Sequence, residues 1–467
     1  MARTRLACCL ITAAALLAVP SARAQGPSIT SLPPSGSKQP SSSGRADAAS
    51  KIDAAFQKFW AADSPADAAK VVPEVIKAGV TFEDAFQRLK AGRTYSAQQA
   101  GVIMRSNRTE DGVEHNYAVN VPASYDPARK YQVRFQLHGG VGGRDDNKPR
   151  GTGEIGALAG AEQIYVLPYS WNDAPWWGDD QILNLNAIVD ALKRTYNVDE
   201  NRVVVSGVSD GGTGTYYVAM RETTPFASFL PLNGFIMVLA SNEIDDGRIF
   251  PTNLRNKPLF VINGGKDRLY PTRIVEPFTK HLMENGVEIE YHPQPDGQHN
   301  TAWWPEMKDV FEKFVTDHPR VPHPDKLTWE AVDSFHNRAH WLVIDDFGTA
   351  PGEAAELPDI SVVKPSEGEI FAETSGLMFN RVVNQNRVDL VRTGNTVQAA
   401  TKGVAGFTLL LSPDKFDFSQ PIKVVANGRE VFNKRVERNL NTLMKWAARD
   451  NDRTMLYAAE VKINLAK

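Results

Sequence analysis

The stretch Asn201–Met220, NRVVVSGVSDGGTGTYYVAM, restricts the fold more than any other part of the chain. Val203, Val204 and Val205 form an unbroken β-branched run, the pattern of a strand buried on both faces of a parallel sheet. Gly207-Val208-Ser209-Asp210-Gly211-Gly212 follows with no spacer, and the residues after it favour helix. The spacing G-x-S-x-G predicts a turn so tight that a Cβ two residues before or after the serine would collide with its neighbours. Such a turn holds the Ser209 hydroxyl at the tip of the strand, over a helix N-terminus whose dipole favours developing negative charge. A plain glycine-rich loop shares these letters, but it does not need the valine run before them or the helical stretch after them.

A serine hydroxyl is a weak nucleophile at neutral pH, so it needs a histidine to take its proton and a carboxylate to orient that histidine. Leu259-Phe260-Val261-Ile262 reads as a buried strand, and Asn263-Gly264-Gly265-Lys266-Asp267 places Asp267 just past its end. Val287 to Tyr291 reads as the next strand, with Asp296-Gly297-Gln298-His299-Asn300 beyond it. The order is therefore serine, aspartate, histidine, each after a strand. Among the nine histidines, His115 falls in a strand, His138 in a glycine loop, His281 in a helix, His292 at a strand end and four others at or beyond His318. His299 alone sits in the loop where a base is needed. Asp296 is the alternative acid.

Tyr131 to Leu137 carries apolar residues at every second place and runs into His138-Gly139-Gly140-Val141-Gly142-Gly143. Consecutive glycines after a strand let backbone N–H groups face a cavity, which predicts an oxyanion hole made by Gly140, with Val141 as second choice, and by the amide of Asp210. A phosphate cradle is the competing reading, but neither G-K-[ST] nor G-x-G-x-x-G is present. After a strand at Gln163 to Leu167, the loop with Tyr169, Trp171, Trp176 and Trp177 emerges at the same carboxyl edge. Trp171, Trp176 and Trp177 either wall an apolar or sugar-like substrate pocket or pack the loop onto the core. Ile182, Leu185, Val189 and Leu192 mark the core face of one helix, and Met307, Val310, Phe311, Phe314 and Val315 that of a closing helix. Asp414 with Asp417, or Asp345 with Asp346, read as solvated turns rather than calcium ligands, so no metal and no cofactor is expected.

LHGG at Leu137–Gly140, GVSDGG at Gly207–Gly212, NGGKD at Asn263–Asp267 and DGQHN at Asp296–Asn300 together resemble the α/β-hydrolase superfamily, in its secreted esterase, polyhydroxyalkanoate-depolymerase-like and prolyl-oligopeptidase-like branches. The resemblance covers roughly Val113 to His318. It implies an α/β fold with an eight-stranded, parallel-dominated sheet and helices on both faces, a serine nucleophile, an acyl-enzyme intermediate and no metal. The chain departs from the peptidase branch in having only a short helical segment where those enzymes usually carry a large β-propeller.

Outside that region the chain divides by composition. Arg3 and Arg5, an apolar run from Leu6 to Val19 and Ala22-Arg23-Ala24 form an export signal over residues 1–24, with Gln25 as first mature residue. Cys8 and Cys9 lie inside it, so the mature chain has no cysteine for a disulfide, a thiol nucleophile or a metal site. Its removal takes three arginines from 52 basic residues, leaving 49 against 55 acidic ones, and nothing points to nucleic acid. Residues 25–50 read as a disordered leader, 51–100 as a helical segment packed on the domain that follows, and 101–320 as the catalytic domain. Proline-rich 319–324 is a hinge, and Asp325 to Lys467 reads as a mostly antiparallel β-domain, with a hairpin turn at Asn427-Gly428. The expected activity is hydrolysis of carboxylic esters in the periplasm or outside the cell, with an ester, possibly polymeric, as partner and no membrane span. A serine peptidase and a silent, glycan-binding secreted protein are the alternatives. The residues set no oligomeric state.

Overall fold

The structure, a computed structural model, describes residues 42–465 apart from 111, 144–151, 242, 350, 353–354, 357–376 and 380–383. The expected export signal and the leader up to residue 41 lie outside the described residues. The first helix, α1 (Ser42–Trp60), begins inside the stretch read as leader, and α2 (Pro65–Lys77) and α3 (Phe82–Ala91) follow.

The catalytic region is built on one sheet of eight strands: β1 (Gly101–Arg108), β2 (Glu114–Val121), β3 (Tyr131–Leu137), β4 (Ile164–Pro168), β5 (Val198–Val208), β6 (Phe229–Leu232), β7 (Leu259–Gly264) and β8 (Ile289–Gln294). Their order is β1-β2-β4-β3-β5-β6-β7-β8. The β1–β2 and β2–β4 pairs are antiparallel and all the others parallel. The valine run explains why β5 sits near the centre. Val203 and Val205 join the cluster under α4 (Asp179–Thr195), α5 (Asp210–Arg221) and α6 (Thr272–Glu284), whereas Val204 faces α7 (Trp304–Asp317) on the other side. Leu259 and Val261 divide from Phe260 and Ile262 in the same way. A strand covered on both faces has no use for polar alternation.

Beyond α7 the chain forms β9 (Lys326–Ala331), β10 (Arg338–Ala339), β11 (Leu342–Phe347), β12 (Ala355–Glu356), β13 (Leu377–Phe379), β14 (Asn386–Thr393), β15 (Thr396–Lys402), β16 (Val404–Leu411), β17 (Ile422–Ala426), β18 (Arg429–Lys434), α8 (Leu440–Asp450) and β19 (Ala459–Asn464). A five-stranded sheet, β18-β17-β15-β14-β9, and a four-stranded sheet, β10-β11-β16-β19, share one apolar core, and β12 pairs with β13. Among these pairs only β15–β17 is parallel. Asn427 and Gly428 both have positive φ, 49° and 78°, as a tight hairpin turn requires. The helical segment finds its apolar partner at the far end of the sequence. Phe56, Phe59, Val75, Phe86 and Leu89 pack with Leu443, Met444, Ala447 and Leu456 of α8 and the residues after it. The helical segment was expected to rest on the catalytic domain that follows it, but its links there are polar, such as Arg194 donating to the Ala62 carbonyl.

Candidate active site

Three loops at the carboxyl ends of β5, β7 and β8 converge. Ser209 stands between β5 and α5 with φ 58° and ψ −118°, outside the usual regions for a residue with a side chain. Its neighbours make that turn possible: a Cβ on Gly207 would come within 2.1 Å of the Gly211 carbonyl oxygen, and one on Gly211 within 2.2 Å of the Leu137 carbonyl oxygen. The strain is held in place by Ser209 N–H donating to Leu232 O at 2.9 Å and by Thr213 N–H donating to Ser209 O at 2.9 Å.

Asp267 and His299 reach Ser209 because their loops interlock. A Cβ on Gly264 would lie 2.3 Å from Gly297 O, and one on Gly265 would lie 2.4 Å from Pro295 O. The Lys266 amide donates to Gly297 O at 2.9 Å, tying the two loops together. His299 Nδ1 is 2.7 Å from Asp267 Oδ2, and His299 Nε2 is 2.8 Å from Ser209 Oγ. A carboxylate only accepts, so the proton belongs on Nδ1, and the Nε2 lone pair is left for the serine hydroxyl. Asp267 is buried, and its second oxygen accepts the amides of Leu269 at 2.7 Å and Tyr270 at 3.0 Å. The Tyr270 ring lies edge-on to the imidazole with centroids 5.7 Å apart, and burial pushes its phenol pKa up, keeping it neutral. Asp296, the alternative acid, points to solvent and pairs with Lys266 at 2.6 Å instead.

The glycine loop after β3 closes over the serine. A Cβ on Gly139 would stand 2.9 Å from Ser209 Cβ, and Gly140 has φ 71°. Neither the Gly140 nor the Asp210 amide has a hydrogen-bond partner among the described residues, whereas the Val141 amide donates to Asp210 Oδ2 at 2.8 Å. This occupation makes Val141 the weaker of the two candidate donors in the loop.

Of the two readings of the tryptophan loop, packing onto the core describes Trp176 and Trp171. Trp176 is fully buried; its Nε1–H donates to His138 O at 2.8 Å, and its side chain fills the space a Cβ on Gly214 would need. Trp171 is buried too, its ring 5.4 Å from that of His115. Trp176 and Trp171 thus support the glycine loop and the sheet edge rather than face a substrate, and Trp177 alone of the three is partly exposed. Sequence reasoning missed Asn233, whose φ is 48° and whose Nδ2–H donates to Asn300 O at 2.8 Å, tying the end of β6 to the histidine loop. Its signal was an Asn-Gly pair directly after the apolar run Phe229–Leu232.

Among the described residues no group of three or more His, Cys, Asp or Glu side chains could hold a metal ion. Asp414 pairs with Lys90, Asp417 accepts from Ser419, and Asp346 pairs with Lys462. Asp345 is half-buried, and burial raises its pKa.

Comparison with known proteins gives a family match and distant relatives. Residues 170–252, which include Ser209, match the prolyl oligopeptidase family. The chain is 26% identical over 248 residues to a bifunctional acetylxylan esterase/xylanase of Neocallimastix patriciarum, covering 50% of this chain and 35% of that protein. It is 25% identical over 203 residues to a protein named "Probable feruloyl esterase C" of Aspergillus terreus, covering 41% of this chain and 71% of that one. The chain thus spans about a third of the first relative's length. A solved thermostable esterase superposes with a TM-score of 0.37 at 22% identity, over 47% of this chain and 63% of its own.

Proposed function

We propose that this chain, an α/β-hydrolase, is an exported serine hydrolase that cleaves carboxylic esters. The observation that carries the reading is the Ser209–His299–Asp267 relay, with contacts of 2.8 Å and 2.7 Å, on a serine held at positive φ. Ser209 Oγ attacks the ester carbonyl carbon while His299 Nε2 takes its proton. The carbonyl oxygen becomes an oxyanion, received by the amides of Gly140 and Asp210. Asp267 keeps the imidazolium oriented and offsets its charge. Collapse of the tetrahedral adduct expels the alcohol, protonated by His299, and leaves an acyl-serine. Water, deprotonated by the same histidine, then releases the acid. No step needs a metal or a cofactor.

Esters are favoured over amides because both curated relatives are named as esterases. Their names point to acetyl and feruloyl groups as the first acyl groups to test, on small or polymeric alcohols. The family match over residues 170–252 supports a second reading, peptide-bond cleavage by the same groups. Export rests on the charged start, apolar run and Ala22-Arg23-Ala24 of the first residues. No helix among the described residues is long and apolar enough to cross a membrane.

Hydrolysis of p-nitrophenyl acetate, longer p-nitrophenyl esters and methyl ferulate, with wild type against Ser209→Ala, tests the proposal. The expected result is turnover that falls on the order of a thousandfold or more in the variant. Turnover of peptidyl amides at rates near those of matched esters would move the assignment to a peptidase, and equal rates for wild type and variant would remove Ser209 from the mechanism.

A further inference from the structure

Asp210 occupies the position after the nucleophile, and so far only its backbone amide has been given a task. Its side chain has an unusual partner. A carboxylate in the first turn of a helix normally caps that helix's own unpaired amides. Asp210 Oδ2 instead reaches across to the loop after β3 and accepts the Val141 amide at 2.8 Å. Val141 is buried, so this amide would otherwise be left without water or partner.

The contact lies next to the bond that matters. Val141 N–H directly follows Gly140, the residue read as the loop's oxyanion donor, and Gly140 is at φ 71°, a conformation that its own sequence does not enforce. The other side of the loop is already anchored: Trp176 Nε1–H donates to His138 O at 2.8 Å, and the Ser170 amide donates to His138 Nε2 at 3.0 Å. Without Asp210 the turn is fixed at His138 and loose at Gly140. A negative charge near a site that must stabilise an oxyanion is a liability, and the Val141 amide together with the α5 N-terminus offsets it.

We propose that the Asp210 carboxylate is a positioning residue that clamps the Gly140–Val141 turn, aiming the Gly140 amide at the oxyanion and withdrawing the Val141 amide from it. One residue would then shape both halves of the hole, supplying one donor from its backbone and fixing the other through its side chain. The inference rests on reading Ser209 as the nucleophile.

Two measurements on the full chain test it, with Asp210→Ala removing the acceptor and Asp210→Asn keeping an acceptor oxygen without the charge. The first is hydrogen–deuterium exchange of peptides covering Leu137–Gly143, which needs no catalytic turnover. The clamp predicts faster exchange there in Asp210→Ala, unchanged exchange in the body of α5, and near-wild-type exchange in Asp210→Asn. The second is ester kinetics. The clamp predicts that Asp210→Ala lowers kcat about tenfold to a hundredfold, less than the ~10²–10³ cost of deleting an oxyanion donor outright, with KM within about threefold. Asp210→Asn should recover most of kcat. A merely structural loss would instead speed exchange throughout α5 or raise KM along with lowering kcat. Unchanged exchange at 137–143 in Asp210→Ala overturns the clamp, as does a kcat equal to wild type. If wild type hydrolyses no ester and Ser209 fails to react with a fluorophosphonate, the nucleophile reading has failed, and the exchange result alone then decides whether Asp210 holds the turn.

Discussion

Asp267 spends both oxygens on a single purpose. Oδ1 is fixed by the Leu269 and Tyr270 amides, so Oδ2 has one orientation from which to meet His299 Nδ1 at 2.7 Å. Replacing it with asparagine keeps the size but allows an N–H to face the ring, which favours the tautomer with its proton on Nε2, the wrong nitrogen for accepting from Ser209. Asp267→Asn is therefore expected to lower kcat about ten-thousandfold with KM little changed, as measured by steady-state ester hydrolysis. Asp296→Ala, which removes a solvent-facing carboxylate paired with Lys266, should leave the rate near wild type. A loss of less than about tenfold in Asp267→Asn would take that residue out of the proton path. The choice between the two acids was open in the sequence because each lies close to a glycine in the loop that follows a strand. What separates them is the pairing of Gly264 and Gly265 with the 295–297 backbone, a close approach between segments thirty residues apart that no local pattern announces.

At the scale of elements, the sequence conveyed position better than surroundings. The strand YQVRFQL alternates apolar and polar residues, which suggests one face toward the core and one toward water. Yet Arg134 is fully buried on that polar face, because α7 covers it. Its guanidinium reaches Glu312 of α7 at 3.1 Å and the Leu158 carbonyl, and lies 4.9 to 5.3 Å from the rings of Tyr165, Phe311 and Trp304. Burial pulls its pKa down, partly countered by Tyr165 and Glu312, so the cation depends on these partners. Glu312→Ala would leave a buried charge uncompensated and should cost about 3–5 kcal/mol of stability, read as a lower urea midpoint. Adding Arg134→Met should restore most of it, because the pair together is worth little more than well-packed apolar groups. If Glu312→Ala unfolds at the wild-type midpoint, water reaches the arginine and the buried-pair argument is wrong. Two strands of the eight-stranded sheet escaped the sequence for related reasons. β6 carries Pro231 although it lies inside the sheet beside Gly207 of β5, a place where proline argues against a strand. β1 is an edge strand with only partial burial, so its GVIMRSNR carries little alternation to read.

Across the whole molecule, buried charge is one of the links between the catalytic region and the C-terminal sheets, beside Phe379 in the catalytic core and the hydrogen bonds of Asn253 and Asn256 to β9. Arg320, inside the proline-rich 319–324 segment, donates to Asp452 Oδ2 at 2.8 Å, and Lys193 of α4 pairs with the same carboxylate at 3.1 Å. Burial opposes ionisation of Asp452, but Arg320 and Lys193 more than offset it, so its carboxyl stays well below the usual range. Composition alone marked out 319–324 as a proline-rich connector, but the partners of Arg320, among them Asn201, Thr224 and Asp452, come from distant parts of the sequence on either side. Two histidines sit beside this cluster. His323, facing Tyr457 edge-on at 5.4 Å and with Arg320, Asp452, Asp414 and Lys415 around it, is buried, which drops its pKa from 6.5 to about 4. Burial, reinforced by Lys257 and Arg320, also holds His340 well below its ordinary value. The sign follows from proton counting. Between about pH 6.5 and 4 the unfolded chain binds a proton at position 323 that the folded chain refuses, so stability rises with pH across that window and is lost as the pH falls through it. Above about 6.5 neither state is protonated and the contribution is flat. Urea unfolding at pH 7 and pH 4.5 should therefore show the wild type losing stability on acidification, and His323→Leu losing about 2 kcal/mol less over the same interval. Equal losses in the two proteins would mean that His323 takes up its proton without unfolding. In that case water reaches the 319–324 segment in the folded state, and the buried charge joining the two parts is Asp452 with Arg320 and Lys193, alongside Arg453 with Glu200.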